Sequence, residues 1–372
     1  MIFKNALAYL GRERGFVKTD IKINDERIES VGNCTESGED CEGKVILPGF
    51  IDIHIHGCNG ADCTDGNPRS AGEMSRYLAS RGVTSFCPAT MTVDEMLLRD
   101  SFVFIRETMG KEEGAYIHGI NMEGPFISPA KKGAQSEKNI RNPDIGLFRE
   151  LNEICPVKLV DIAPEMPGAD EFIEEAKDIC TVSAAHTATG YEEAVKAFDK
   201  GITHVTHLFN AMTQFGSREP GLVGAAFDYK KNEIMCELIC DGIHIAPASL
   251  RTAFSILGNR AVVISDAMAA SGLPDGVYSL GGQKVIKQGA ARLPDGTLAG
   301  SATDLFSEFR NLISFGIPFD DILYALTLNP ARSIGVDGLT GSISEGKNAD
   351  LIVLDEKMES IKAVIVKGRK VF

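Results

Sequence analysis

No apolar run in the chain approaches 18 residues, which excludes a helix of the length that spans a bilayer. Positive charge is scarce: 38 Lys and Arg stand against 52 Asp and Glu, for a net charge of −14. General nucleic-acid binding needs a cationic surface, and this balance argues against it. An anionic small molecule would need a local cationic pocket. Long repeats and low-complexity tracts are missing. So is a G-x-G-x-x-G after the first β-rich run of the central region, which disfavours a dinucleotide-binding doubly wound sheet. The opening residues MIFKNALAYLGRERG lack the apolar core and cleavage site of a signal peptide. Nine cysteines are an odd number, scattered through apolar segments of a chain too long to need staples. Reduced thiols and a cytoplasmic location are the expectation. The C-x4-C spacing of Cys58 and Cys63 matches no common zinc site, which leaves them as small packing residues.

What is present is an ordinary globular composition, 44% hydrophobic and 24% charged over 372 residues, enough to bury a sizeable core. Residues 1–47 read as short alternating strands broken by Asn-Asp and Gly-Asn turns. Residues 339–372 read the same way. Each end is too small for a core of its own, so the two are expected to pair into one small β-sandwich domain. Between them, residues 48–338 alternate short β-rich runs with helical patterns. Eight runs, from VILPGFIDIHIHG to AVVISDAM, predict an α/β fold, a (β/α)8 TIM-like barrel. Residues 277–300 read as a hairpin insertion after the eighth strand.

In such a barrel the active site lies at the carboxyl ends of the strands, and polar residues gather there. Strand one ends in Asp52, His54 and His56, whose i, i+2 spacing turns all three to one face. Strand three ends in Glu123, strand five in His186, strand six in His207. Strand seven runs into Asp241 and His244, and strand eight into Asp266. A lone histidine is more often a hydrogen-bonded core residue. Four histidines and a glutamate at one end of several strands point instead to one or two divalent metals: zinc, iron, cobalt or manganese. His118 and His204 fall outside the pattern and read as structural hydrogen-bonding residues, with His204 and His207 on opposite sides of a strand. Asp266 is either a helix cap or, beside a metal, a general base. Arg218, in a Gly/Pro-rich loop, is either a phosphate contact or a solvated arginine. Lys131 and Lys132 read as a solvated face.

The segments PGFIDIHIHG, EGPF, SAAHT, THLFNAM, REPG, DGIH and SDAM, in this order, resemble the N-acetylglucosamine-6-phosphate deacetylases of the amidohydrolase superfamily. THLFNAM followed by REPG is the most specific part. The resemblance implies a barrel with a small β domain, a homodimer, and hydrolysis of an amino-sugar phosphate to glucosamine 6-phosphate and acetate. It implies that Glu123, His186 and His207 hold the main metal and that His54 and His56 hold a second. It implies Asp266 as general acid/base, and Asn210, Ala211, Arg218 and His244 as substrate contacts. Gln135 stands where many relatives have a histidine that polarises the acetyl carbonyl, so polarisation here is expected to lean more on a metal. Asn121 replaces another family histidine, and AGSATDLF departs from the family's usual loop. The alternatives are a deacetylase of N-acetylgalactosamine 6-phosphate, another amidohydrolase, and an inactive sugar-phosphate-binding scaffold.

Overall fold

Eight short parallel strands ring the centre of the computed structural model, which describes residues 1–372. In chain order they are Phe50–Ile55, Val83–Pro88, Ile120–Met122, Val157–Ile162, Thr181–Ala184, His204–Val205, Met235–Ile239 and Ala261–Ile264. Strands one and two pair in parallel, and strands three to eight form one parallel sheet. A parallel bridge between Ala89 and Asn121 joins the two arcs. The ring closes just past strand eight: Asp266 N donates to His54 O at 3.0 Å, and His56 N and Gly57 N both donate to Ala267 O at 2.9 Å. The result is a TIM-like barrel whose sheet is two arcs rather than one unbroken ladder.

The strands read as continuous apolar runs because both of their faces are covered. Every residue of Phe50–Ile55, Val83–Pro88 and Met235–Ile239 is buried. Helices cover the outer face, among them Ser70–Ser80, Glu95–Thr108, Ile145–Ile154, Pro247–Leu257 and Leu305–Ser314. Helix Glu95–Thr108 turns Leu98, Phe102 and Ile105 inward at helical spacing, and the Asp94 side chain caps it by accepting from Leu97 N. No helix is long and apolar enough to cross a membrane.

Both chain ends enter one sheet. Ile2–Tyr9, Phe16–Asn24, Arg27–Val31 and Lys44–Pro48 come from the beginning, and Leu351–Asp355, Ile361–Val366 and Arg369–Lys370 from the end. Lys44–Pro48 runs antiparallel to Leu351–Asp355 and joins the two contributions. The expected sandwich is thus a single hydrogen-bonded sheet. Its edge strand Arg27–Val31 is satisfied by the segment before Leu351: Ile28 N donates to Lys347 O, and Gly346 N to Ile28 O, each at 2.9 Å. Two separate sheets are unnecessary because this sheet curls onto its own apolar face, where Ile46, Leu351 and Val353 sit with Phe3 and Ile21. Strand alternation sends Val45, Leu47, Ile352 and Leu354 the other way, into the barrel core.

The insertion after strand eight is a three-stranded antiparallel sheet, Gly276–Leu280, Gln283–Gln288 and Ala290–Arg292. Gln283 Nε2 donates to Ala134 O and ties the insertion to the loop after strand three.

His118 differs from its expected role. Its ring Nε2 is buried without a hydrogen bond and stands edge-on to Tyr116, with centroids 5.1 Å apart. Burial, with the nearby Lys158 and Lys367 charges, pushes its pKa from 6.5 down to about 3. The folded protein therefore keeps His118 neutral while the unfolded chain takes up a proton below about 6.5. Stability from this residue is lost as pH falls from about 6.5 toward 3, by about 1.4 kcal/mol per pH unit at most. Urea unfolding at a series of pH values should show a shallower pH dependence for His118→Phe than for the wild type. Parallel curves would show that His118 is not the source.

Candidate metal centre and its cavity

A cavity of about 290 Å³ opens at the carboxyl ends of the barrel strands. His56, Glu123, His186, His207 and Asp266 line its floor, with Gln135, Asn210, Ala211 and His244 on its walls. Leu280, Thr297 and Leu298 of the insertion reach its rim. Three floor residues hold left-handed backbone angles: His186 at φ +44°, His207 at +31° and Asp266 at +46°. Such non-glycine conformations cost of order 1–3 kcal/mol each and cluster at functional sites. Here each one lies two residues past the end of its strand, where strand alternation no longer sets the side chain's direction.

The floor is built around Glu123. Its Oε1 lies 3.1 Å from His186 Nε2, 3.1 Å from His207 Nε2 and 3.5 Å from His54 Nε2. Its Oε2 lies 3.3 Å from His56 Nε2. Asp266 Oδ1 faces the same two strand-one histidines, at 3.2 Å from His56 and 3.7 Å from His54. Two donor sets result, Glu123–His186–His207 and His54–His56–Asp266. A third, His54–Glu123–Asp161, shares two residues with them.

The hydrogen-bond partners say which imidazole nitrogens are free. His186 Nδ1 lies 2.8 Å from Lys131 O, and His56 Nδ1 lies 2.9 Å from Ala89 O. Carbonyls only accept, so both Nδ1 atoms carry the proton and leave Nε2 as a bare lone pair when the ring is neutral. His54 Nδ1 likewise faces Glu237 Oε2 at 3.0 Å. Lone pairs aimed at a carboxylate repel unless positive charge lies between them. His186 Nε2 and His207 Nε2 are also only 3.2 Å apart. A tetrahedral cation with ligands at about 2.1 Å has edges of about 3.4 Å, which these spacings match. The donor set therefore fits a divalent metal.

The electrostatics agree. Burial opposes the charge on Glu123, but the facing His56 and His54 and the bonds from His186 and His207 hold its carboxyl well below the usual range. Burial likewise opposes charge on His56, yet Glu123 and Asp266 lift it to about 10. Without a cation, protons supply the positive charge these carboxylates demand.

Several expected residues stand elsewhere. Asp52 does not join the donor sets. Its Oδ2 accepts from Ser265 Oγ at 2.6 Å and its Oδ1 from Ser265 N at 3.3 Å, so it ties strand one to strand eight. His204 and His207 do not face opposite ways. His207 lies past the end of its strand, where alternation no longer applies, and both rings turn inward, that of His204 toward Glu237 and that of His207 to within 5.7 Å of the His54 ring centroid. His204 Nε2 lies 3.3 Å from Glu237 Oε1, and His207 N donates to Glu237 Oε2 at 3.1 Å. Gln135 reaches the floor, but its amide is engaged. Oε1 accepts from Thr92 N at 2.7 Å and Nε2 donates to Glu123 Oε2. Its geometry is that of a group steadying Glu123.

On the walls, Asn210 Nδ2 faces His207 O at 3.4 Å, and Ala211 turns at φ +51°. His244 Nδ1 pairs with Asp241 Oδ2 at 2.8 Å; burial works against its charge, but this bond raises its pKa. Arg218 is exposed and does not line the cavity. The sequence reading missed Glu237 and Asp161. Each is a single carboxylate inside an apolar strand, MCELI and VKLVDI, the same signal that singled out His54 and His56.

Residues 45–371 match the amidohydrolase family. The chain is 37% identical to an N-acetylglucosamine-6-phosphate deacetylase of Bacillus subtilis (strain 168), over 92% of this chain and 90% of that one. It is 32% identical to an N-acetylgalactosamine-6-phosphate deacetylase of Escherichia coli O157:H7, over 94% and 93%. Among solved structures, an Asp-to-Ala mutant of N-acetyl-D-glucosamine-6-phosphate deacetylase from Mycobacterium smegmatis, in complex with N-acetyl-D-glucosamine-6-phosphate, superposes with a TM-score of 0.91. It is 29% identical, over 100% of this chain and 99% of that one.

Proposed function

The chain belongs to the amidohydrolase family, and on that premise we propose that it hydrolyses the acetamide of N-acetylglucosamine 6-phosphate to glucosamine 6-phosphate and acetate. The observation that carries this reading is the convergence of four imidazole Nε2 atoms on Glu123, with Asp266 beside them, at the floor of a sugar-sized cavity. Glu123, His186 and His207 would hold one divalent cation, and His54 and His56 a second, drawn from zinc, iron, cobalt and manganese. Bound there, such a cation polarises the acetyl carbonyl and lowers the pKa of water at the site.

The chain's own residues supply the rest. Asp266 takes the proton from the attacking water and returns it to the amine, which otherwise leaves poorly. Gln135 holds Glu123 in place through its double contact with Thr92 and Glu123. Asn210, Ala211 and His244 orient the sugar phosphate from the walls. The exposed position of Arg218, away from its own cavity, suits a homodimer in which it reaches a partner's substrate. Residues 1–47 with 339–372 act as the supporting β domain, and 48–338 as the catalytic barrel. Nine free cysteines suit a reducing, cytoplasmic setting.

The second reading is the galacto epimer, which the similarity to the Escherichia coli relative favours. Metal analysis of the purified protein, with acetate release measured on both epimers, separates the two. The expected result is bound transition metal and a kcat/KM for the gluco epimer at least roughly tenfold above the galacto one. The reverse ratio would establish the second reading. No metal and no acetate from either sugar would overturn both, and a monomer in sedimentation would overturn the homodimer.

A further inference from the structure

Glu237 is fully buried in the middle of strand seven, and the mechanism above gives it nothing to do. Its position is specific. One oxygen, Oε2, receives both the ring Nδ1–H of His54 at 3.0 Å and the main-chain N–H of His207 at 3.1 Å. These two histidines come from strands one and six and belong to different donor sets. The other oxygen, Oε1, has only His204 Nε2 at 3.3 Å and no well-formed hydrogen bond. With its Nδ1–H engaged, the neutral His54 ring presents Nε2 as a bare lone pair, buried and with no hydrogen-bond partner of its own. A carboxylate behind a metal-binding histidine fixes its tautomer and strengthens it as a donor.

Charge leads to the same place. Glu123 and Asp266 together offset one divalent cation. A second adds two positive charges to a largely buried floor, where uncompensated charge is costly. Glu237 is the next carboxylate in hydrogen-bond contact with a donor histidine, whereas Asp161 spends Oδ1 on Thr206 Oγ1 at 2.6 Å and bonds no histidine.

We propose that Glu237 is the positioning residue that makes the second cation position usable, by aligning His54 and by supplying buried negative charge that two divalent ions need. The proposal rests on the two-position reading of the site. It differs from a purely structural role for a satisfied core carboxylate, which would affect stability and leave metal stoichiometry alone.

The test is titration of metal-free full-length protein with Co2+, followed by visible absorption and metal analysis. Wild type should take up two equivalents, and His54→Ala one. Glu237→Ala should keep the first equivalent and bind the second about 10–100-fold more weakly. Glu237→Gln, which retains an acceptor for Nδ1–H but not the charge, should fall between. Two equivalents of unchanged affinity in Glu237→Ala would overturn the proposal. Where that variant does not fold, unchanged second-site affinity in Glu237→Gln does so. A wild type that takes up one equivalent, with His54→Ala identical to it, would instead overturn the two-position reading.

Discussion

Asp266→Asn should lower kcat by about 10²–10⁴-fold, the usual worth of a positioned general acid–base, while metal content and substrate affinity stay near wild type. The amide keeps the size of the carboxyl. The surrounding backbone is untouched, since Asp266 N still donates to His54 O and Ser301 N still donates to Asp266 O. Only the capacity to take a proton and give it back is gone. Steady-state kinetics, metal analysis and direct binding of the sugar phosphate to the variant separate the outcomes. Near-normal turnover would refute the role. A fall in activity accompanied by loss of one metal equivalent would make Asp266 a ligand, which its place in the His54–His56–Asp266 set allows.

The second large effect is expected at Glu123. Glu123→Gln removes the one charge that all four imidazoles face, and no other carboxylate touches all of them. Metal content should fall to near zero and activity by about 10³-fold or more, since a cation contributes several kcal/mol to such a reaction. A ligand that binds only the folded state raises its stability by mass action. The melting temperature of wild type should therefore drop on adding a chelator, and that of Glu123→Gln should not move. Full metal loading in Glu123→Gln would show that the histidines suffice and that Glu123 is not the hub of the site.

Much of this site was legible in the sequence because a polar residue in an apolar strand is conspicuous. His54 and His56 punctuate such a run, Glu123, His186, His207 and Asp266 stand just past the end of one, and the structure brings the six together. The alternation of runs and helices likewise gave the barrel. What strand periodicity could not supply was behaviour past a strand's end. His207 lies there at a positive φ, so counting residues from His204 misjudged which way the two rings face. Asp52 shares a face with His54 and His56, yet a serine 213 residues later claims it. The sandwich expectation failed for a related reason. Alternation in VILP says that two faces are buried, but one curled sheet buries two faces as well as a pair of sheets does. Gln135 and Arg218 depend on loop conformation, which carries no periodicity.

The closure of the ring between strand one and strand eight has a consequence for the order of assembly. Asp52 and Ser265, and with them His54 and Asp266, belong to the first and last staves of the barrel. Contacts of such separation form late, because loop closure must come before they yield anything. The donor set His54–His56–Asp266 straddles this final joint. Were Asp266 to share in holding a cation there, that cation would work as a latch across it, besides any chemistry it performs. The part of the chelator-sensitive shift in melting temperature that Asp266→Asn removes would then gauge how firmly the last stave is fastened to the first.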